Sequence, residues 1–463
     1  MAIHIDYSNM MAGTLPGGIS EEAWRAAHTS FQAAYEATQK RRQAGELGFI
    51  DLAVGQPKLE ELQDFANGVG QAFSDVVVLG IGGSALGTIA LRTALRPPFW
   101  NELDDDAREF FPRLHVLDNA DPVTMAALLA RVELGSTLFI VISKSGGTAE
   151  TMAQYLIARG RLQEALGDAF QRHLVFVTDP EHGALRKIAR DEGIVSLELP
   201  PNVGGRYSVL SAVGLLPAAL IGIDVNALLE GAADMASLCA TNELEKNPAG
   251  VYATLQWMAD TQLGLVDQVF MPYGDALSAM SDWFVQLWAE SLGKRRPDGT
   301  PAGPTPIAAR GTTDQHSQVQ LFMEGPRNKT VTFVSVAERS GDLEIPHAHE
   351  DIPELAYLGG HTLGELLAAE CRATAGALAL GGRANMTLTL ERGDAWHVGA
   401  LIMLLETATV YAGALYGVNP LNQPGVELGK RLTYALLGRT DAEGGKAKEE
   451  LAKLPTPNPR WKV

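Results

Sequence analysis

A chain of 463 residues exceeds one ordinary hydrophobic core, so roughly two to four domains are expected. With 46% hydrophobic and 20% charged residues it reads as globular, and a formal charge of −18 excludes nucleic acid or an anionic membrane surface as its main partner. Two cysteines, Cys239 and Cys371, are too few for a disulfide framework or a structural zinc site, which suits a reducing cytoplasm.

The opening segment MAIHIDYSNMMAGTLPGG lacks a basic stretch followed by an apolar run, so no signal peptide is expected. Residues 20–44 predict an amphipathic helix, with Ser20 as N-cap and Trp24, Ala27, Phe31 and Tyr35 at helical spacing. From Asp75 the segments VVVLGI, RLHVLD, TLFIVIS, HLVFVTD and IVSLEL read as short buried strands with helices between them. Such an alternation is a βα repeat with a mainly parallel sheet. A less regular set follows, with QVFMPYGD, TVTFVSV and NMTLTLE as strands and helices near 278–292, 360–380 and 394–416. The Pro/Gly-rich stretch 296–306 predicts a loop with an active-site or interface role. Residues 397–418 form the longest apolar run, but Glu406 interrupts it centrally, which favours a buried core helix over a membrane span. The end, EGGKAKEELAKLPTPNPRWKV, is charged with scattered proline and is expected to fray or lie on the surface. The chain therefore divides into an N-terminal helical arm (1–50), a first α/β domain (51–225), a second α/β domain (226–425) and a C-terminal helix and tail (426–463).

Several segments carry residues suited to chemistry. GIGGSALG, from Gly80, follows a strand and opens a helix, so its backbone N–H groups and the Ser84 hydroxyl face an anion beside Gly83. It also nearly fits the dinucleotide turn G-x-G-x-x-G/A, although Asp118 lies well beyond the usual ~20-residue offset of the ribose-binding acid. SKSGGTAET places Ser143, Lys144, Ser145, Thr148 and Thr151 at a second helix start, a set of donors suited to a phosphate monoester or to plain helix capping. In NVGGRYSVLS, Arg206 follows two glycines, where it either stabilises negative charge on oxygen or makes a surface ion pair. In QLWAESLGK, Gln286 and Glu290 share a helix face with Lys294 extending the row; flanking Trp283, Leu287 and Trp288 would partly desolvate Glu290. That is the setting of a general base, with an ordinary Glu–Lys helix pair as the alternative. His316 in TTDQHSQVQ sits in a polar loop as a proton shuttle or a merely exposed side chain. His347 and His349 have no cluster around them and read as surface. NQPGVELGK brackets its turn with Gln423 and Lys430, the lysine either a proton donor or decoration on a helix.

These strings, in this order over about residues 80–430, resemble the motif set of the phosphoglucose isomerase family, bacterial type. The resemblance implies two sugar-isomerase (SIS-type, flavodoxin-like) domains and reversible conversion of D-glucose 6-phosphate to D-fructose 6-phosphate. It assigns Glu290 as the base that moves a proton between C2 and C1 through a cis-enediol, and Arg206 as stabiliser of the enediolate. His316 and Lys430 would open the ring. Gly83, Ser84, Ser143, Lys144, Ser145, Thr148 and Thr151 would hold the phosphate and substrate, with Gln286 and Gln423 assisting. Many bacterial members carry a hydroxyl residue where this chain has Gly147, which loosens the loop. No cofactor or metal is implied, the expected partner is a sugar phosphate, and the assembly is a homodimer with His316 shared between subunits. Three rivals stay open: an isomerase of another hexose 6-phosphate or a sulfonated analogue, separable by a sugar panel; a dinucleotide-dependent oxidoreductase; and a non-catalytic sugar-phosphate sensor, which has no need of Glu290, His316 and Lys430 together.

Overall fold

The computed structural model describes residues 3–55 and 58–462. It falls into two compact units, Met1–Pro420 and Leu421–Val463. The larger unit holds two five-stranded sheets. The first comprises β2 (Asp75–Leu79), β3 (Arg113–Leu117), β4 (Thr137–Ile142), β5 (Leu174–Thr178) and β6 (Val195–Glu198), all parallel, in the order β3-β2-β4-β5-β6. This is the flavodoxin-like 2-1-3-4-5 arrangement. β2, β4 and β5 are buried along their whole length, as expected of strands covered on both faces by helices.

The second sheet repeats the theme. β7 (Asp267–Pro272), β10 (Thr305–Ala308), β11 (Lys329–Glu338) and β12 (Asn385–Arg392) run parallel in the order β12-β11-β7-β10, and β1 (Ile3–Asp6) adds antiparallel to β12. Two of these strands correct the sequence reading. β1 lies within the expected helical arm, because four residues are too few to declare a period. β10 starts within the stretch 296–306 expected to be a loop, and β9 (Pro301–Ala302) in that stretch folds back on β8 (Lys294–Arg295), just before it, as a small ribbon. Pro306 is tolerated in β10 because that strand pairs on one side only, with β7.

The helices follow the apolar periodicity. Glu21–Gln43 is capped by Ser20, whose Oγ accepts from the Ala23 N–H at 3.1 Å. The long apolar helix Ala395–Tyr416 is the spine of the larger unit; it is long and apolar enough to cross a membrane, yet 89% of its apolar window is buried inside the fold. It packs on Val225–Leu238, Pro248–Leu263, Glu21–Gln43 and Ser278–Leu292. A Cβ at Gly231 would sit 1.8 Å from the Trp396 carbonyl oxygen, and one at Gly399 would sit 1.9 Å from that of Leu228, so glycine on both helices permits their close crossing.

The smaller unit contains helices Glu427–Leu436 and Ala442–Leu451. Arg431 grips Glu450 through two hydrogen bonds of 2.7 and 2.8 Å. The charged tail lies largely on the surface, as expected, and its first part is helical: Asp441 caps Ala442–Leu451 through the Gly444 N–H. Val463 lies outside the described residues.

Candidate active site

In the first sheet the chain leaves β2 toward β3 on one side and returns to β4 on the other. The carboxyl ends of β2 and β4 therefore flank a topological switch point, where open parallel sheets form a crevice. The loop after β2 is Gly80–Ile81 and the turn Gly82–Ser84; the loop after β4 carries Ser143 to Thr148. The loop after β6 delivers the turn Gly205–Tyr207 against the first of these. A Cβ on Gly83 would lie 2.3 Å from the Gly205 carbonyl, so only glycine lets the two backbones meet there. The helix Ser278–Leu292 closes the third side: a Cβ on Gly82 would be 2.8 Å from the Gln286 amide nitrogen.

The loop after β4 gathers hydroxyl groups at the start of a helix. Ser143 Oγ and Thr148 Oγ1 lie 2.9 Å apart, Gly146 adopts φ +63°, and Ser145 and Gly147 are exposed. Thr148 occupies the N-cap of Ala149–Leu166 without accepting from that helix, which leaves the first N–H groups open toward the crevice. Thr151 Oγ1, buried one turn in, has no hydrogen-bond partner among the described residues. Lys144 turns the other way. Its ammonium donates to the carbonyls of Pro201 at 2.7 Å and Val203 at 2.9 Å, tying this loop to the segment that leads to Arg206, and burial lowers its pKa. Ser84 lies at the crevice mouth, partly exposed.

Arg206 and Glu290 meet. The guanidinium is 2% exposed and is fixed from three directions: Nε donates to Ser291 Oγ at 2.7 Å, one terminal nitrogen to Glu290 Oε2 at 3.3 Å, and the other to the Pro420 carbonyl. Tyr207 OH lies 3.1 Å from Ser291 Oγ, and burial pushes that phenol up to about 12, so it remains a neutral partner. Glu290 sits at the rim, 28% exposed, and its Oε1 makes no hydrogen bond among the described residues. One carboxylate oxygen is thus held by a fixed cation on a side chain that still reaches the surface. Gln286, one turn back, has a buried Oε1 without a partner among the described residues.

Lys294 does not continue the helical row. The helix ends at Leu292, and Gly293 turns the chain so that Lys294 Nζ donates to the main-chain carbonyls of Glu290 (2.5 Å) and Ser291 (2.9 Å) rather than to the Glu290 carboxylate. The ordinary Glu–Lys helix pair is therefore absent. Ser291, Tyr207 and the Pro420 carbonyl are the site partners that sequence reasoning missed; adjacency of Ser291 to Glu290 and of Tyr207 to Arg206 was the only available signal.

His316 ends the turn Thr313–His316, not buried and without a side-chain hydrogen bond among the described residues. Its neighbours are ordered: Gln315 Oε1 accepts from Tyr273 OH at 2.6 Å, and Asp314 accepts from the Arg310 N–H at 2.7 Å. Gln423 and Lys430 belong to the smaller unit. Gln423 precedes the turn Pro424–Val426, and Lys430, half exposed, pairs with Glu427 at 2.8 Å.

Known proteins resemble this chain along most of its length. The sequence profile described as phosphoglucose isomerase matches residues 61–449. A glucose-6-phosphate isomerase of Rubrobacter xylanophilus is 50% identical over 398 residues, covering 85% of this chain and 89% of that protein. One of Carboxydothermus hydrogenoformans is 42% identical over 459 residues, 98% of each. Among solved structures, a hypothetical protein of Thermus thermophilus superposes with a TM-score of 0.85 at 37% identity, covering 94% of this chain and 100% of that one.

Proposed function

The chain belongs to the phosphoglucose isomerase family, and we propose that it interconverts D-glucose 6-phosphate and D-fructose 6-phosphate, a step of glycolysis and gluconeogenesis. The observation that carries this reading is the kinship to enzymes of that name along nearly the whole chain.

The chemistry follows from the crevice. The phosphate docks on the loop after β4, taking hydrogen bonds from Ser143, Ser145, Thr148 and Thr151 and from the open helix N–H groups, with Ser84 and the Gly83 backbone opposite. Lys144 adds positive charge from behind the loop. Gln286 and Gln423 bind sugar hydroxyls. His316 and Lys430 move the proton between ring oxygen and hydroxyl, opening the ring. The carbonyl of the open chain acidifies the neighbouring C–H, and Glu290 carries that proton between C2 and C1 through a cis-enediol. Arg206, which stays charged throughout, stabilises the oxygen on which negative charge develops; its buried, triply fixed guanidinium needs no reorganisation to do so. Such a proton transfer needs neither metal nor organic cofactor.

The working assembly is a cytoplasmic homodimer in which His316 serves the partner's site; its access to solvent and its lack of side-chain hydrogen bonds among the described residues support that role. The division into two SIS-type domains, 51–225 and 226–425, between an N-terminal arm and a C-terminal helix and tail, is supported by one sheet falling mainly in each range. The test is a coupled assay of purified protein supplied with fructose 6-phosphate, with mannose 6-phosphate and unphosphorylated fructose as comparisons. Formation of glucose 6-phosphate from fructose 6-phosphate is expected, with far slower formation of glucose from unphosphorylated fructose, followed by a separate glucose readout; turnover of the unphosphorylated sugar at equal efficiency would defeat the assignment of the phosphate cradle.

A further inference from the structure

Helix Ser278–Leu292 delivers two site groups from adjacent residues: the Glu290 carboxylate and the Ser291 hydroxyl that holds Arg206. Both sit in the last turn, where backbone carbonyls lack intrahelical partners and where helices fray first. Here the carbonyls of these same two residues are taken by one side chain, Lys294, at 2.5 and 2.9 Å. A cation at a helix C-terminus also meets the negative end of the macrodipole. The placement is nonetheless costly. The ammonium is half buried, and the charged groups that face it are Arg206, from the loop after β6, and Glu290, from the preceding helix. A lysine serving only to stop the helix would sit more favourably away from a buried arginine.

We propose that Lys294 is a positioning residue for the isomerisation: its ammonium clamps the last turn of the helix and so holds Glu290 and Ser291 in register against Arg206. This rests on the reading of Glu290 as the base. Burial first, and then Arg206, bring the Lys294 ammonium down to about 8, with Glu290 opposing. The clamp is therefore complete below that pH and weakens above it, as the amine loses its charge and one of its three donors.

The test measures kcat and KM against pH for the wild type, Lys294→Met, Lys294→Arg and Glu290→Gln, with thermal melting as a check on folding. Lys294→Met is expected to lower kcat roughly tenfold to a hundredfold at pH 7 with little change in KM, since a loosened base loses orientation rather than affinity. Wild-type kcat should fall above about pH 8. Lys294→Arg should recover most of the activity and move that alkaline limb upward, because a guanidinium keeps its proton. A folded Lys294→Met enzyme with wild-type kcat, or a Lys294→Arg enzyme with an unmoved alkaline limb, would overturn the proposal. Wild-type activity in Glu290→Gln would instead overturn the assignment of the base, a separate failure.

Discussion

In the proposed mechanism Arg206 and Glu290 divide the labour by their burial. The arginine is sealed and held by Ser291, Glu290 and the Pro420 carbonyl, so it contributes a fixed field; the carboxylate stands at the rim with one oxygen uncommitted, so it can exchange a proton. Replacing Glu290 by Gln keeps the shape and the Arg206 contact while removing the proton acceptor. Turnover should drop by roughly 10²–10⁴ with substrate affinity much less affected, as steady-state kinetics would record. A Gln variant turning over near the wild-type rate would remove Glu290 from the mechanism. At this scale the sequence displayed the groups proposed to react but not the contacts that hold them. GGR and ESLGK announce a charge beside flexible backbone and a carboxylate on a helix. That Ser291 would grip Arg206 is a contact across 85 positions, and that Lys294 would fold back onto carbonyls depends on the turn at Gly293.

The helix Ala395–Tyr416 shows what an element can hide. Glu406 marks it as unfit for a lipid environment, and in the fold that side chain is fully buried with neither carboxylate oxygen partnered among the described residues. Desolvation raises its pKa well above the usual value of 4.5, so it is neutral in the native protein over a wide range. Because the folded value lies above the unfolded one, its contribution to stability is full below about pH 4.5. It is lost as pH rises, by about 1.4 kcal/mol per pH unit until the native group itself ionises. Glu406→Gln cannot lose a proton. Urea unfolding of the two proteins from about pH 5 to 8 should show their stability difference shifting steadily in favour of the Gln variant; a gap independent of pH would contradict this account. Buried strands and long helices were legible because whole runs of Val, Ile and Leu report burial. β1 and β10 were not, since a four-residue edge strand carries little pattern and its pairing partner decides its fate: β12 lies some 380 positions from β1.

Taken whole, the molecule sets a parallel five-stranded sheet with a switch-point crevice beside a second sheet of the same winding, and a helix of the second half, Ser278–Leu292, completes the crevice of the first. If His316 serves the neighbouring subunit, Glu290→Gln and His316→Ala are complementary defects. Mixing the two inactive proteins under conditions that exchange subunits should restore about a quarter of wild-type activity, because half of the dimers are mixed and each of those has one intact site. No recovery would place His316 in its own subunit's site.

In the proposed reaction this protein isomerises a hexose 6-phosphate by moving a proton, not a hydride, between C1 and C2. Conversion of fructose 6-phosphate in deuterium oxide, with the product examined by NMR, tests it most directly. Glucose 6-phosphate carrying solvent deuterium at C2 is expected, with both product and label lost together in Glu290→Gln. Product formed at full rate without deuterium, or label that persists in the Gln variant, would contradict it.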